Sequence, residues 1–328
     1  MFRALCVAEG FALVSFLAAC GGSELDAGSN HLRGSLPIDA RNPVILANDG
    51  ARDNWDGENA LTFASRGEIK LLAIVVTVSS YYPDIASNVQ GWRDMVKAAR
   101  DSGMSHLPDP TASVGPPLVR PASGDIDATE PNHSEGARLI LDAAKTYGQS
   151  SRPVVVAVGG RLTEVADAYL LDPSVADRVV VVGSIGDAAA DGSSAAMTVP
   201  NGDLDTWADE IVLRKFRYVQ IDAFYPQQDD ITPERAAALP DNPFSAWIKG
   251  KLGDILEMNS AADQNSIIAC ALPDFALDLT RMSEATSEPP AAGASPTLAR
   301  DATGNAWVVT RGDNAKASSH FWQMLQAL

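Results

Sequence analysis

Short apolar runs alternate with longer segments of helical periodicity between residues 43 and 221. The runs are rich in Val, Ile and Leu, a pattern typical of strands that are buried on both faces of a parallel sheet. Strands are predicted at 44–47, 71–77, 153–158, 179–182 and 218–221. Helices are predicted at 58–65, 85–100, 134–147, 164–171 and 204–215. The alternation predicts an α/β fold with a mostly parallel central sheet and helices on both faces.

Two segments interrupt this alternation. Residues 104–133 are rich in Pro, Gly, Asp and Ser and are long for a connection. Residues 283–295 are rich in Pro and Ala, so an exposed loop is expected there.

The Gly-Ser-Ile-Gly segment at 183–186 follows a strand but lacks the third glycine and the lysine of phosphate-binding loops, and we interpret it as a plain turn. Ligands of such sheets bind at the carboxyl ends of the strands, so functional residues are expected directly after the predicted strands.

The composition narrows the classes of function. Hydrophobic residues make up 46% of the 328 residues, so the chain can bury a sizeable core. The formal net charge of -17 argues against a nucleic-acid partner, which requires clustered Lys and Arg. An uncharged small molecule and a metal cation are both compatible with this charge, and oligomerisation is left open. The three cysteines, Cys6, Cys20 and Cys270, provide neither a disulfide framework nor a cysteine-based zinc site.

The first 42 residues have the pattern of an export signal followed by a linker. Residues 1–19 contain a short basic start and an apolar stretch too short to span a bilayer, and they end before Cys20 in the sequence Leu-Ala-Ala-Cys. This ending resembles the lipobox of bacterial lipoproteins, in which the Cys is lipidated. It predicts a protein of the bacterial cell envelope that is anchored to a membrane at Cys20. The alternative is an ordinary signal peptide with an incidental Cys. Residues 20–42 are interpreted as a flexible tether and residues 43–328 as one domain.

Several carboxylates follow the first predicted strand. Asp49, Asp53 and Asp56 lie in a loop with glycines, and a helix begins immediately after them. Carboxylates that converge at a strand end repel one another unless a cation or a proton joins them. A hard cation such as Ca²⁺ takes oxygen ligands of this kind. The alternative is a solvated acidic turn whose acids cap the helix.

Further segments, taken in order with this loop, resemble a known family. The segments are 159–164, 171–179, 201–212, 263–273 and the Phe-Trp pair at 321–322. They are similar to the Gly-rich turn, the following helix end, the ribose-binding segment, the late metal-binding helix and the terminal helix of the nucleoside hydrolase family. The resemblance covers about residues 43–328 and implies the α/β fold of that family.

The resemblance implies a calcium site with a general base. Asp49 matches the family residue that is both calcium ligand and general base. Asp56 and Asp263 match two further carboxylate ligands, and Gly159 occupies the position whose backbone carbonyl binds the metal. The alternative for each Asp is a solvated surface residue.

The substrate-binding positions depart from the family pattern. Asn201 matches an Asn that holds ribose, whereas Val199 replaces a Glu. Trp55 replaces an Asp that binds ribose, and Asp53 could substitute for it. Trp55 would supply a stacking face for a substrate. The alternative is that Trp55 and Val199 are both core residues. Ala262 replaces a His that in part of the family assists departure of the base.

Two functions follow from this resemblance. The first is calcium-dependent hydrolysis of N-glycosidic bonds in nucleosides or related ribosyl compounds, which the presence of Asp49 favours. The second is a non-catalytic envelope lipoprotein that binds a sugar-like ligand, which the altered substrate positions favour. We prefer the first hypothesis, that the protein is an enzyme. The proton for the leaving base would then come from His106, His133, Tyr81 or Tyr82.

Overall fold

The structure is a computed structural model that describes eight segments of the chain. These are residues 36–52, 55–79, 81–189, 192–197, 200–221, 232–254, 264–286 and 291–328. The predicted signal peptide and the lipidation site Cys20 lie outside the described residues and stay predictions. Within the described segments, no helix has the length and apolar character needed to cross a membrane.

Eleven strands of the described segments form one sheet. They are β1 (Pro43–Asn48), β2 (Lys70–Val76), β3 (Pro110–Ala112), β4 (Val154–Gly159), β5 (Val179–Gly183), β6 (Asp187–Ala188), β7 (Ser194–Ala196), β8 (Arg217–Ile221), β9 (Ala276–Glu284), β10 (Thr297–Arg300) and β11 (Ala306–Gly312). Their order is β3-β2-β1-β4-β5-β8-β11-β9-β10-β7-β6. The pairings from β3 to β11 are parallel, and those from β11 to β6 are antiparallel.

Helices cover both faces of the sheet. They are α1 (Asp56–Arg66), α2 (Ile85–Asp101), α3 (Glu135–Tyr147), α4 (Thr163–Leu171), α5 (Pro200–Asp203), α6 (Thr206–Lys215), α7 (Pro233–Ala237), α8 (Pro243–Asp254), α9 (Gln264–Ala271) and α10 (Asn314–Gln326). Alternate residues of β1 belong to separate cores. Val44 and Leu46 pack with α1, α2, α8, α9 and α10, whereas Ile45 and Ala47 pack with α3, α4 and α6. The predicted α/β architecture, with helices on both faces, is confirmed.

Side chains at the helix ends explain where several helices begin and end. Asp84, Ser134 and Asp205 precede α2, α3 and α6, and each accepts a hydrogen bond from a backbone N–H of the first turn. Gly67 ends α1 with a left-handed φ of 74°, a conformation that other residues adopt at a cost. All predicted strands and helices are present, with ends within two residues of those predicted.

Three segments differ from the prediction. The connection at 104–133 contains β3, which adds a short strand to the sheet edge. The predicted start of the loop at 283–295 is too early, because residues 283 and 284 still belong to β9, which ends at Glu284. The end of the predicted tether packs on the domain. Leu36 and Ile38 are buried in the core, and the Asn42 side-chain amide donates to the Pro153 carbonyl at 2.7 Å. The folded domain therefore extends at least seven residues further towards the amino terminus, to Leu36.

Candidate functional site

The carboxyl ends of the adjacent parallel strands β1, β2 and β4 meet at one edge of the sheet. Asn48, the last residue of β1, lies opposite the last residue of β2 and opposite Gly159 of β4. Asp49 follows β1, Thr77 follows β2 and Gly160 follows β4. These residues therefore lie side by side at the edge where ligands of α/β sheets bind.

Asp49 is a buried carboxylate at the start of the loop after β1. Its Oδ1 accepts a hydrogen bond from the Gly50 backbone N–H at 2.6 Å, and Ser79 also hydrogen-bonds the carboxylate. The indole N–H of Trp92 donates to the Asp49 carbonyl oxygen at 2.9 Å and fixes the backbone. Burial raises the pKa of Asp49, and the bonds from Ser79 and Gly50 oppose that rise. Asp49 is thus held in place with an increased affinity for a proton.

Asp56 is the first residue of α1 and is also buried. Its Oδ1 accepts from the Gly57 backbone N–H at 2.8 Å, and its Oδ2 accepts from the side-chain amide of Asn48. Burial raises the pKa of Asp56 to about 7, against the effect of the Lys251 ammonium, while the Glu58 carboxylate raises it further. The contact with Asn48 brings Asp56 to the end of β1, close to Asp49 in the fold.

A buried ion pair lies beside Asp56. The Nζ of Lys251 in α8 is 3.0 Å from each carboxylate oxygen of Glu58 in α1, and both side chains are 0% exposed. The same Nζ is 3.4 Å from the Ala51 carbonyl oxygen and 4.5 Å from the centre of the Trp55 ring. Lys251 therefore contacts residues on both sides of the loop between β1 and α1.

Buried oxygen atoms at this edge lack hydrogen-bond partners. Asn48 Oδ1 and Thr77 Oγ1 are both in this state. A Cβ atom on Gly160 would lie 3.1 Å from Thr77 Oγ1 and 3.8 Å from the Asp49 backbone nitrogen, so these groups are neighbours. An unsatisfied buried oxygen is costly unless a ligand or water binds it.

The donor set at this edge fits a hard cation. Ca²⁺ binds carboxylates together with neutral amide, hydroxyl and carbonyl oxygens. Asp49 and Asp56 supply the carboxylates, and Asn48 and Thr77 supply unpartnered neutral oxygens. Within the described segments, no group of three or more His, Cys, Asp or Glu side chains is arranged to hold a metal. The described set thus rests on two carboxylates and depends on neutral oxygens for the rest.

A second buried ion pair follows β4. Arg161 Nη2 is 3.4 Å from Glu164 Oε1 and also donates to the carbonyl of Gly115, in the segment after β3. Burial raises the pKa of Glu164 to about 7, and the Arg161 guanidinium and a hydrogen bond with Ser113 oppose that rise. The pair joins the start of α4 to the segment after β3 at the same edge of the sheet.

Comparison with known proteins gives matches in structure alone. No family model and no curated protein matches the chain in sequence. The purine-preferring ribonucleoside hydrolase from Gardnerella vaginalis matches with a TM-score of 0.57 and 17% identity, over 86% of this chain and 98% of that one. An inosine-guanosine nucleoside hydrolase gives a TM-score of 0.61 and 16% identity, over 86% and 99%. The inosine-uridine preferring nucleoside hydrolase from Bacillus anthracis gives 0.61 and 12%, over 87% and 100%. The chain has the nucleoside hydrolase fold.

The nucleoside hydrolase fold places three of the four predicted metal ligands at one edge of the sheet. Asp49 follows β1, Asp56 contacts Asn48, and Gly159 is the last residue of β4. Asp263, the fourth predicted ligand, lies outside the described residues. Since identities of 12–17% show a shared fold, the roles of these residues rest on their geometry.

The predicted substrate-binding residues have different surroundings. Asn201 lies in the short helix α5 and is partly buried. A Cβ on the next residue, Gly202, would lie 2.6 Å from the Ile185 carbonyl oxygen, which places α5 against the segment after β5. Asn201 thus lies near the carboxyl end of a strand two positions from β1 in the sheet. Asp53 lies outside the described residues, as do Val199 and Ala262.

Trp55 has a different role from the stacking surface that the sequence suggested. Its side chain is 0% exposed and belongs to the core, and the Lys251 ammonium lies over its ring. The expectation of a stacking face open to a substrate is therefore corrected in favour of the core alternative. The reason is that α8 brings Lys251 onto the Trp55 ring. The local sequence around Trp55 does not show that α8 packs there.

The side chains considered as proton donors to a leaving base are mostly exposed. Tyr81 is 66% exposed, and His106 and His133 lie on the surface at positions with positive φ. Tyr82 is partly buried, with its ring against Gly50 in the loop after β1. Tyr82 is therefore in direct contact with the loop that carries Asp49.

Four residues of this site were not identified from the sequence. Asn48, Thr77 and Ser79 lie at or just after strand ends, so the rule that ligands bind at these ends could have selected them. Lys251 could not be selected by this rule. It lies 193 positions from Glu58, and only the fold shows that the two side chains form a pair.

Proposed function

We propose that the protein hydrolyses N-glycosidic bonds in nucleosides or related ribosyl compounds, with Ca²⁺ as cofactor. The observation that carries this proposal is the buried Asp49, held by Ser79 and Gly50 at the carboxyl end of β1 in a nucleoside hydrolase fold. Asp56 supports it as a second buried carboxylate at the same edge.

The residues that would hold the cation are Asp49 and Asp56, together with the neutral oxygens of Asn48, Thr77 and the Gly159 carbonyl. Asp263 would join them according to the family resemblance. A bound Ca²⁺ lowers the pKa of water in its coordination sphere and so favours a nucleophile at neutral pH.

Asp49 would act as the general base. A water molecule attacks C1 of the ribose while the Asp49 carboxylate accepts its proton. Burial raises the pKa of this carboxyl above its ordinary value, which makes it a stronger base than an exposed Asp. The sugar ring would gain positive charge in the transition state, and the Asp56 carboxylate would stabilise that charge. The C1–N bond breaks, and the base leaves with the bonding electrons and a proton from an acid or from water.

We propose in addition that the protein is anchored to the cell envelope through Cys20. The sequence Leu-Ala-Ala-Cys after an apolar stretch supports this. A substrate of an anchored envelope enzyme would be a small molecule outside the cytoplasm.

A second candidate function is binding of a sugar-like ligand without turnover. The observation that favours it is the state of Trp55, whose ring is covered by Lys251 at the position where a ribose contact was expected. This protein would keep the fold and the metal but lack part of the substrate contacts.

An assay of the protein without its leader distinguishes the two functions. The preparation would contain residues 21–328, excess Ca²⁺, the common nucleosides and an activated ribosyl reporter. We expect release of ribose that a chelator abolishes. Asp49→Asn should reduce the rate by about 10²–10⁴-fold, because a positioned general base is lost.

The matched control is Asp142→Asn, which removes an exposed carboxylate from α3 and should leave the rate unchanged. Calorimetric binding of ribose or nucleoside without turnover would favour the second function. Absence of both turnover and binding would refute both functions for these ligands.

A further inference from the structure

The ion pair between Glu58 and Lys251 places a fixed positive charge beside the proposed metal site. Both side chains are 0% exposed, and the ammonium nitrogen is equidistant from the two carboxylate oxygens at 3.0 Å. Nothing in the hydrolysis mechanism above uses this pair. Buried charges are costly and are retained where they are paired, so the presence of two here requires a reason.

Several contacts fix the position of the pair. The Trp247 indole N–H, one helical turn before Lys251, donates to Glu58 Oε1 at 2.9 Å. The Arg52 guanidinium lies 4.8 Å from the centre of the Trp247 ring. Lys251 itself contacts the Ala51 carbonyl at 3.4 Å. The ammonium is thereby tied to the loop that carries Asp49 and to the helix that begins with Asp56.

The two members of the pair act on Asp56 in opposite directions. The Glu58 carboxylate repels the charge of Asp56, and the Lys251 ammonium attracts it. Because the pair is neutral as a whole, it adds no net charge to that of Asp49 and Asp56. Without Lys251, the carboxylates of Asp49, Asp56 and Glu58 would act together on a bound cation.

We propose that Lys251 is a resident cation which cancels the charge of Glu58 and so limits the affinity of the Asp49–Asp56 site for a divalent metal ion. The inference rests on the metal role proposed above and adds a residue that controls it. It assigns Lys251 as a positioning and charge-balancing residue.

Calcium binding to three variants, measured by calorimetry or equilibrium dialysis on residues 21–328, tests this proposal. Lys251→Met leaves Glu58 uncompensated, and we expect the affinity for Ca²⁺ to rise by about tenfold or more. Glu58→Gln leaves the ammonium uncompensated, and we expect the affinity to fall by about tenfold or more. The double variant Lys251→Met/Glu58→Gln restores the charge balance, and its affinity should lie within about threefold of the original.

Two controls separate charge from folding. Lys249→Met removes an exposed lysine from the same helix and should not change the affinity. Breaking a buried pair is strongly destabilising, so near-UV circular dichroism would establish which single variants are folded. The two single variants shift the affinity in opposite directions, so either one that folds decides the question, and a neutral pair in the double variant is expected to fold.

The outcomes also distinguish this proposal from the proposed function. Folded single variants with the original affinity would overturn the proposal, whatever the activity of the protein. Absence of Ca²⁺ binding in the original protein and in Lys251→Met would overturn it too. If the original protein binds no Ca²⁺ but Lys251→Met does, the role of Lys251 is supported and calcium-dependent hydrolysis by the natural chain is refuted.

Discussion

The ring of Tyr82 lies so close to Gly50 that a Cβ atom on residue 50 would stand 2.5 Å from the ring Cδ1. Hydrogen bonds hold the backbone that carries this ring. The Tyr82 backbone N–H donates to Ser79 Oγ at 3.0 Å, and the Asn88 side-chain amide donates to the Tyr82 carbonyl at 2.9 Å. Since Ser79 also hydrogen-bonds Asp49, the contact with Gly50 couples the loop after β2 to the proposed general base.

Replacement of this glycine is therefore expected to destabilise the domain. Gly50→Ala should lower the free energy of unfolding by about 1–3 kcal/mol, because a methyl group is inserted into a filled contact. Gly91→Ala is the matched control. Gly91 lies inside α2, and a Cβ there would lie 3.5 Å from the Ala51 Cβ in the loop after β1, which is an ordinary contact distance. We expect this control to stabilise the protein by about 0.5–1 kcal/mol. Urea denaturation measures both, and equal effects would contradict the packing argument.

Asp205 is expected to be one of the most sensitive helix caps. Its buried carboxylate accepts from the Ala208 and Leu118 backbone N–H groups at 3.1 and 2.9 Å, and from the Thr163 hydroxyl at 2.7 Å. Asp205→Ala would lose the cap of α6 and leave two further buried donors without a partner. The expected loss is about 3–5 kcal/mol.

The comparison for this prediction is the exposed cap Asp84 of α2, which accepts from Ala86 and Ser87. Asp84→Ala should cost about 1 kcal/mol, because water can replace the lost bonds. Thermal or urea unfolding of the two variants gives the difference. A loss at Asp205 no larger than that at Asp84 would show that the buried donors find other partners.

The fold could be predicted from the sequence where hydrophobic pattern and length agree. Continuous apolar runs such as β4 and β5 have buried residues throughout, so their burial is visible in the sequence. By contrast, β9 alternates between buried and half-exposed residues irregularly, and it is held by antiparallel pairing with β11. That pairing depends on a distant segment, so the local sequence did not reveal the strand.

The part of the candidate site that lies next to a predictable strand and helix could be predicted from the sequence, and the part contributed by distant segments could not. Asp49 and Asp56 follow a recognisable strand and precede a recognisable helix, so their convergence could be expected. Lys251 reaches this loop because α8 packs on α2. The burial of Leu36 and Ile38 was equally hidden, since two apolar residues in a polar segment resemble a linker until the surface that covers them is known.

The stability of the domain should fall as pH rises from about 4.5 to 7, and Glu164 should contribute to this. The pKa of Glu164 is raised from 4.5 to about 7 by burial. In that window the unfolded chain releases the Glu164 proton while the folded protein retains it. The folded state therefore binds more protons, and the free energy of unfolding decreases with pH. The contribution of this residue is on the order of 3 kcal/mol, which is complete above about pH 7.

The variant Glu164→Gln isolates this contribution from that of Asp56, which titrates in the same range. The difference in unfolding free energy between the variant and the original should shift in favour of the variant as pH rises from 5 to 8. Loss of the Glu164 carboxylate beside Arg161 lowers the unfolding free energy of the variant by a constant amount that does not depend on pH in this range. Urea denaturation at several pH values measures the difference, and parallel stability curves would refute the shifted titration.

The last prediction concerns Cys20, which stands at the end of the apolar leader in the sequence Leu-Ala-Ala-Cys. If this Cys carries acyl chains, they hold the protein on a membrane, because several chains on one residue give stable attachment. Cys20→Ser should move the protein from the membrane fraction to the soluble fraction of a bacterial host that processes lipoproteins. Cys6→Ser is the matched control, since it removes a cysteine from the leader itself and should leave the membrane attachment intact. Mass spectrometry of the mature amino terminus provides the second readout. A soluble original protein without attached lipid would instead favour the ordinary signal peptide.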